Sequence, residues 1–423
     1  MRYTAASRSA VPAIYFDVQM KTTKHTAHSI VVVAATAIFA LPSALGAREE
    51  SDAAPVFSDA EIKIILSHGP WPMAGQADPS NRASGNATAI EFGTRLFFDQ
   101  RLSGPGDSSC GSCHIPERHW SDNQRRGIGM TELDRKTPTL ANLRGQRWFG
   151  WDGAADSLWS QSLRPMVDDR EMASTPRHIA QVVREDDQLS CRYRKAFGAS
   201  PSAAGDEAVF VNVGKAIASF METLVSGRTP FDQFRDSLAT GRAPVAGTYS
   251  EAAQRGLKIF IGKGGCTNCH AGANFTNGEF FSTGLSRFTP AGKPDPGRAE
   301  GVRRVLESRF NLLGPFNDDV SRASAAHTRK ASLEKARAGD FKVPSLRNIV
   351  LTAPYGRDGS IDSLVDVVRH YSSVDPLRLR AKDGAPGKAL NLTQREQSDL
   401  VVFLESLSTF TNGWRPDDGG RCE

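Results

Sequence analysis

The sequence is poor in cysteine, in surplus charge and in long apolar runs, and each shortage narrows what it can be. Six cysteines in 423 residues are too few for a disulfide-built fold, so stability has to come from a hydrophobic core. Lysine and arginine exceed aspartate and glutamate by only five, and residues 1–46 hold three of those charges through Arg2, Arg8, Lys21 and Lys24 against Asp17. The rest of the chain is therefore near +2, without the basic surplus that nucleic-acid binding requires. After residue 46 no segment is apolar enough to cross a bilayer. No sustained period-2 alternation argues for sheet, and no short-period repeat argues for a solenoid.

What is present is enough apolar residue, 39% of the chain, for two domains of ordinary size with a core each. Residues 20–47 read as a secretory signal. Lys21 and Lys24 form its basic start, and Ile30 to Leu41 its apolar run, shorter than a bilayer span. Ala44-Leu45-Gly46 supplies small residues for cleavage. A retained anchor is the competing reading of that run. Residues 1–19 read as an upstream extension, with Met20 the alternative start.

One long duplication stands out. Gly93-Thr-Arg-Leu-Phe-Phe98 precedes Cys110-Gly-Ser-Cys-His114, and Gly256-Leu-Lys-Ile-Phe-Ile261 precedes Cys266-Thr-Asn-Cys-His270. Ile90, Gly93, Leu96 and Phe97 recur at helical spacing before the first, and Ala253, Gly256, Leu257 and Phe260 before the second. Further helices are expected where Ser58 and Glu61 form a capping box ahead of Ile62, Ile65 and Leu66, and where Thr393 and Glu396 do so ahead of Leu400, Val401, Leu404 and Leu407. Val209, Val213, Ala216, Ile217, Phe220 and Leu224 line a face of another. The predicted fold is mostly α, with two haem domains over 47–245 and 246–423 joined by the linker-like Gly241–Gly247. Residues 299–340, charged and weakly patterned, are expected to form a surface excursion.

The haem assignment comes from the two C-x-x-C-H motifs. Two thiols three residues apart reach the two vinyl groups of a haem, and the next residue turns its imidazole to the iron. A structural zinc site also uses C-x-x-C pairs, but would not require histidine after both. Cys110, Cys113 and His114, and Cys266, Cys269 and His270, are therefore expected to hold two covalently bound haem c groups, with His114 and His270 as iron ligands. Haem is attached to exported apo-chains, so the expected location is the periplasm. Cys191 and Cys422 remain, either paired or as separate thiols.

The chain resembles the bacterial dihaem cytochrome c peroxidase family, and within it the MauG-like branch. The resemblance runs from about Ala89 to Leu407 and rests on Leu96-Phe-Phe-Asp-Gln-Arg-Leu-Ser103, Trp151-Asp-Gly153, Phe341-Lys-Val-Pro-Ser-Leu-Arg-Asn348 and Leu351-Thr-Ala-Pro-Tyr355. It implies two cytochrome c-like domains packed face to face. It also implies that Trp151 lies between the haems, that Gln161 and Glu171 are the glutamine and glutamate of a peroxide pocket, and that Pro165 lines it. A carboxyl such as Glu171 suits that chemistry, because splitting an O–O bond needs a proton taken from one oxygen and delivered to the other. Many family members carry a histidine ligand in a loop shortly after the first motif. Gly127-Ile-Gly-Met-Thr131 has none, and His119 and Met130 read as loop and packing residues. The first haem is thus expected to be open. Counting on from Asp358-Gly359, the methionine ligand of the second haem becomes Tyr371, as in MauG-like proteins, with His370 a neighbouring competitor. A phenolate is a hard donor that favours oxidised iron.

Two departures accompany this match. Lys136 replaces the asparagine of the family's calcium site, which leaves calcium open, although Thr352 and Pro354 are kept. Arg357 replaces the histidine before Asp358-Gly359. The resemblance implies an enzyme that reacts with hydrogen peroxide at the N-terminal haem and oxidises a protein side chain. Trp148, Trp159 and Trp414 are candidate exit points, packing being the competing reading of each. The alternatives are a peroxidase that removes peroxide using a small cytochrome or copper protein as donor, and a non-enzymatic electron carrier.

Overall fold

Local capping starts the helices where the sequence says it should. The computed structural model describes residues 54–241, 247–286, 288–375, 389–409 and 420–423. The expected signal segment, the middle of the Gly241–Gly247 linker and Trp414 lie outside the described residues. The Ser58 amide donates to Glu61 Oε2 at 2.8 Å and opens α1 (Asp59–Leu66). The Thr393 amide donates to Glu396 Oε2 at 2.9 Å and opens the last helix. Each box satisfies amides that a helix start leaves without partners. Between them come α2 (Ala87–Phe97), α3 (Cys110–Cys113), α4 (Leu158–Val167), α5 (Pro176–Glu185), α6 (Asp187–Phe197) and α7 (Asp206–Met221). These are followed by α8 (Pro230–Thr240), α9 (Glu251–Ile261), α10 (Arg298–Glu307), α11 (Ala326–Arg329), α12 (Leu364–Ser373) and α13 (Gln394–Glu405). Among the described residues the sheet is limited to β1 (Phe280–Phe281) against antiparallel β2 (Phe341–Lys342). The mostly α expectation holds.

Two apolar cores form. The first gathers Phe92, Leu96, Phe97, Trp159, Phe210 and Phe220 from α2, α4 and α7. The second gathers Leu257, Phe260, Phe275, Leu400 and Phe403, and also takes Ile65, Phe231 and Phe234 from ahead of residue 240. The duplicated glycines have one cause. A Cβ on Gly93 would collide with the Ala216 carbonyl of α7, and one on Gly256 with the Asp399 carbonyl of α13. Glycine inside a helix costs about 1 kcal/mol relative to alanine, and here it lets two helix backbones touch. Helix α7, expected to bury one face, is buried from Val209 to Met221 on every side. Its Lys215 is accommodated because Asp318 lies 2.5 Å away.

The reading of residues 299–340 as a surface excursion is corrected. Val302, Val305, Leu312, Ala325 and Thr328 are buried, and Leu312 and Ala325 join the first core. The Leu312 amide and the Thr328 hydroxyl both donate to Asp156 Oδ2, at 2.8 and 2.7 Å. Cys191 and Cys422 form a disulfide that fastens the chain end to α6.

Candidate haem and redox site

The two C-x-x-C-H motifs fold into the same turn. The His114 amide donates to the Cys110 carbonyl at 2.9 Å, and the His270 amide to the Cys266 carbonyl at 2.8 Å. His114 Nδ1 lies 3.0 Å from the Trp120 carbonyl, and His270 Nδ1 2.9 Å from the Phe275 carbonyl. A carbonyl only accepts, so Nδ1 carries the proton in both rings and Nε2 keeps its lone pair for a metal. Trp120 and Phe275 hold φ of 60° and 50°. This left-handed backbone is strained for aromatic residues and turns each carbonyl toward its histidine. Burial keeps both imidazoles neutral, pushing His270 down to about 4 and His114 in the same direction. These groups fit a covalently held haem with a histidine ligand. Among the described residues no set of three or more His, Cys, Asp or Glu side chains is placed for a bare metal ion, as a zinc site would need.

Around the first motif the chain assembles polar groups from α4 and the turn after it. Pro165 lies in the last turn of α4, which ends at Val167, and the chain then doubles back, with the Glu171 amide donating to the Asp168 carbonyl at 2.9 Å and the Met172 amide to the Pro165 carbonyl at 3.1 Å. The reversal returns Glu171 to the motif. Burial pushes the Cys110 thiol up to about 12, with the Cys113 and Glu171 charges adding to it, and Glu171 also raises Cys113. The Glu171 carboxyl is itself raised, first by burial and then by Asp168, against the opposing pull of Arg164 and Arg170. Gln161 Oε1 accepts from Arg164 Nη1 at 3.2 Å. Arg164 thus connects Gln161 with Glu171, and the sequence reading passed it over. Its spacing, three residues after Gln161 on one helix, was the available signal. The loop without histidine lies on this wall, its Met130 amide donating to the Glu171 carbonyl at 3.2 Å. His119 is buried with Nε2 lacking a partner, and burial lowers it to about 4.

Trp151 sits where the two halves of the chain meet. Its Nε1 donates to the Lys136 carbonyl at 2.8 Å, and its own carbonyl accepts from the Lys342 amide of β2 at 2.8 Å. The Lys136 amide donates in turn to the Arg357 carbonyl at 2.7 Å. The Lys136 ammonium is buried, 3.3 Å from the Ser121 hydroxyl. Arg357 reaches Asp295 at 3.3 Å and stacks 4.1 Å from the Phe341 ring, and Arg135 bridges Asp152 and Asp295 at 2.8 and 2.7 Å. The arginine that replaced histidine therefore belongs to a buried four-charge network beside Trp-Asp-Gly.

At the second motif, α12 carries Tyr371 and His370. Burial pushes the Tyr371 phenol up to about 12, with Cys269 and Cys266 the next influences, so the phenol lies within electrostatic reach of both motif cysteines. His370 Nε2 lies 2.8 Å from the Thr283 carbonyl, which engages the competing imidazole. The structure thus puts Glu171 within electrostatic reach of Cys110 and Cys113 and of Arg164, ties Gln161 to Arg164, puts Tyr371 within electrostatic reach of Cys266 and Cys269, and holds Trp151 between the Lys136 carbonyl and the Lys342 amide.

Comparison with known proteins places the chain in a family. The family model for di-haem cytochrome c peroxidase matches residues 87–239. The methylamine utilization protein MauG of Methylorubrum extorquens is 33% identical over 340 residues, covering 80% of this chain and 81% of that protein. The cytochrome c551 peroxidase of Nitrosomonas europaea is 30% identical over 334 residues, covering 78% and 82%. A solved MauG-like protein associated with microbial copper homeostasis superposes with a TM-score of 0.58 at 25% identity, covering 80% of this chain and 95% of that one. The dihaem peroxidase BthA of Burkholderia thailandensis, at 22% identity and a TM-score of 0.59, covers 81% and 91% and shares the fold. No helix among the described residues is long and apolar enough to cross a membrane. The chain belongs to the bacterial dihaem cytochrome c peroxidase family, in its MauG-like branch, and is a haem-dependent oxidoreductase.

Proposed function

We propose that this is a periplasmic dihaem c-type enzyme that takes oxidising equivalents from hydrogen peroxide at the first motif and uses them on a protein side chain. Cys110, Cys113 and His114 hold one haem, and Cys266, Cys269 and His270 the other, in domains over 47–245 and 246–423 that face each other. Bound haem supplies iron that exchanges electrons and accepts an oxygen ligand. The observation that carries the reading is the half-buried Glu171 carboxyl, returned by the turn after α4 to within electrostatic reach of Cys110 and Cys113. Its raised proton affinity suits a group that takes a proton from one peroxide oxygen and returns it to the other. Reduction then balances: peroxide, two electrons and two protons give two waters. Gln161 holds peroxide or a water by its amide, and Arg164 fixes the orientation of that amide.

Tyr371 would serve the second haem as a phenolate ligand, a hard donor that favours oxidised iron. Its burial disfavours a free phenolate, so the anion forms only with iron as counter-charge. Trp151, fixed by the Lys136 carbonyl, provides the electron path between the two sites. Electron paramagnetic resonance of the oxidised protein tests the ligand set. One high-spin and one low-spin haem are expected. Two low-spin haems with paired-histidine or histidine–methionine signatures would overturn it. The similarity to cytochrome c551 peroxidase supports a second reading, removal of peroxide with a small redox protein as donor. Fast peroxide consumption with a reduced cytochrome, and no persistent oxidised state without one, would favour that reading.

A further inference from the structure

We infer that Arg298 bars oxidation of Trp148 and so keeps the oxidising equivalents on Trp151. The inference rests on the peroxide-driven reading above and names which tryptophan that chemistry can use. An indole that gives up an electron becomes positively charged. A fixed cation on its face attracts the neutral ring but opposes the oxidised one. Arg298 Cζ lies 4.0 Å from the Trp148 ring centroid and 4.0 Å from that of Phe280, so the guanidinium is held between two aromatic faces.

Asp152 and Glu279 act on the Arg298 charge only from beyond ion-pair distance. Arg298 Nη1 donates to the backbone carbonyls of Asp152 and Gly153 at 3.2 and 2.8 Å, and among the described residues no carboxylate stands within ion-pair distance of it. The other capped tryptophans differ in this respect. Arg347 lies 3.8 Å from the Trp71 ring but pairs with Asp232 at 2.8 Å. Lys215 lies 5.3 Å from the Trp159 ring but pairs with Asp318 at 2.5 Å. Among the described residues no cation lies over Trp151, whose N–H already donates to a carbonyl. That acceptor favours the oxidised indole, because its N–H becomes more acidic.

Arg298 has no room to swing away. A Cβ on Gly153, at φ 67°, would strike Arg298 Nη1 and the Phe280 ring, and one on Gly301 would strike the Asp152 carbonyl. Helix α10 is thereby pressed onto the Trp-Asp-Gly segment. Burial lowers Arg298 to about 10, which leaves it charged at neutral pH.

The test is a map of oxidised tryptophan in the protein carrying both haems. Limiting hydrogen peroxide is added without a donor, and peptide mass spectrometry measures oxygen addition at Trp148 and Trp151. The reaction balances as indole plus peroxide giving hydroxyindole plus water, two electrons leaving the indole. In the wild type, Trp148 should be modified at most about one-tenth as much as Trp151. Arg298→Met should raise Trp148 modification about tenfold or more, and Arg298→Lys should restore protection. Equal modification of Trp148 and Trp151 in the wild type, or Trp148 left unmodified in Arg298→Met while Trp151 is modified, would overturn the inference; the first comparison needs no variant to fold. A second arm uses azide radical, which takes one electron from indole without peroxide. The same dependence on Arg298 is expected there. If peroxide modifies no residue while azide radical shows that dependence, the peroxide reading fails and the inference stands. If azide radical modifies Trp148 equally in all three proteins, the inference falls.

Discussion

The two haem-motif regions hold their histidines alike but treat buried acids differently. Both turns anchor Nδ1 on the carbonyl of a left-handed aromatic residue. In the part of the chain that builds the first core, burial raises Glu171, Glu222 and Asp156 above the usual carboxylate range. Around the second, Asp232 meets Arg347 at 2.8 Å and Asp399 meets Arg255 at 2.8 Å. The contrast separates two uses of a buried carboxyl. One kept near neutrality can move a proton, whereas one locked to arginine ties helices together and cannot.

That contrast can be broken most sharply at Glu171. Glu171→Gln should slow reaction with peroxide roughly 10²–10⁴-fold, measured by stopped-flow absorption, while haem content and thermal stability stay at the wild-type level. Unchanged peroxide rates would remove Glu171 from the chemistry. In the second region the effect should fall on stability instead. Asp232→Asn leaves the Arg347 guanidinium buried with half its partner, and denaturant unfolding should show a loss of about 3–5 kcal/mol. A loss below about 1 kcal/mol would mean that this pair is no tie at all.

The smallest effect concerns pH in the first region. Glu222 accepts from the Ser84 hydroxyl at 2.6 Å, yet burial pushes it up to about 7. Its unfolded carboxyl titrates near about 4.3. Between those values the folded chain binds more protons than the unfolded one, so this group lowers stability as pH rises from about 4 to about 7. Glu222→Gln should flatten that slope and stabilise the protein by about 1–3 kcal/mol at pH 8, read from thermal unfolding at several pH values. A slope equal to the wild type would assign the pH dependence elsewhere.

Much of the fold could be read from residues close in sequence. The two capping boxes were visible because donor and acceptor lie three residues apart. The haem turns were visible because five consecutive residues carry them. Gly93 and Gly256 were visible as a duplicated pattern, but only the crossings with α7 and α13 explain them. Residues 299–340 were misread because Leu312, Ala325 and Thr328 are too widely spaced to show a period, and Asp156, which anchors Leu312 and Thr328, is more than 150 residues away. Arg164 and Arg298 were missed for a related reason. A lone arginine in a helix ordinarily reads as solvated, and only its neighbours in space show otherwise.

By itself, then, the sequence determined the mostly α class, the two C-x-x-C-H turns and the helices that precede them, since each depends on spacing within a few residues. The tertiary structure alone decided what surrounds those turns. Glu171 acts on Cys110 because the chain reverses after Val167, and Arg298 reaches Trp148 because Gly153 and Gly301 let α10 lie against Trp-Asp-Gly. Burial and charge at a site are sums over groups far apart in the chain, and no local pattern encodes such a sum.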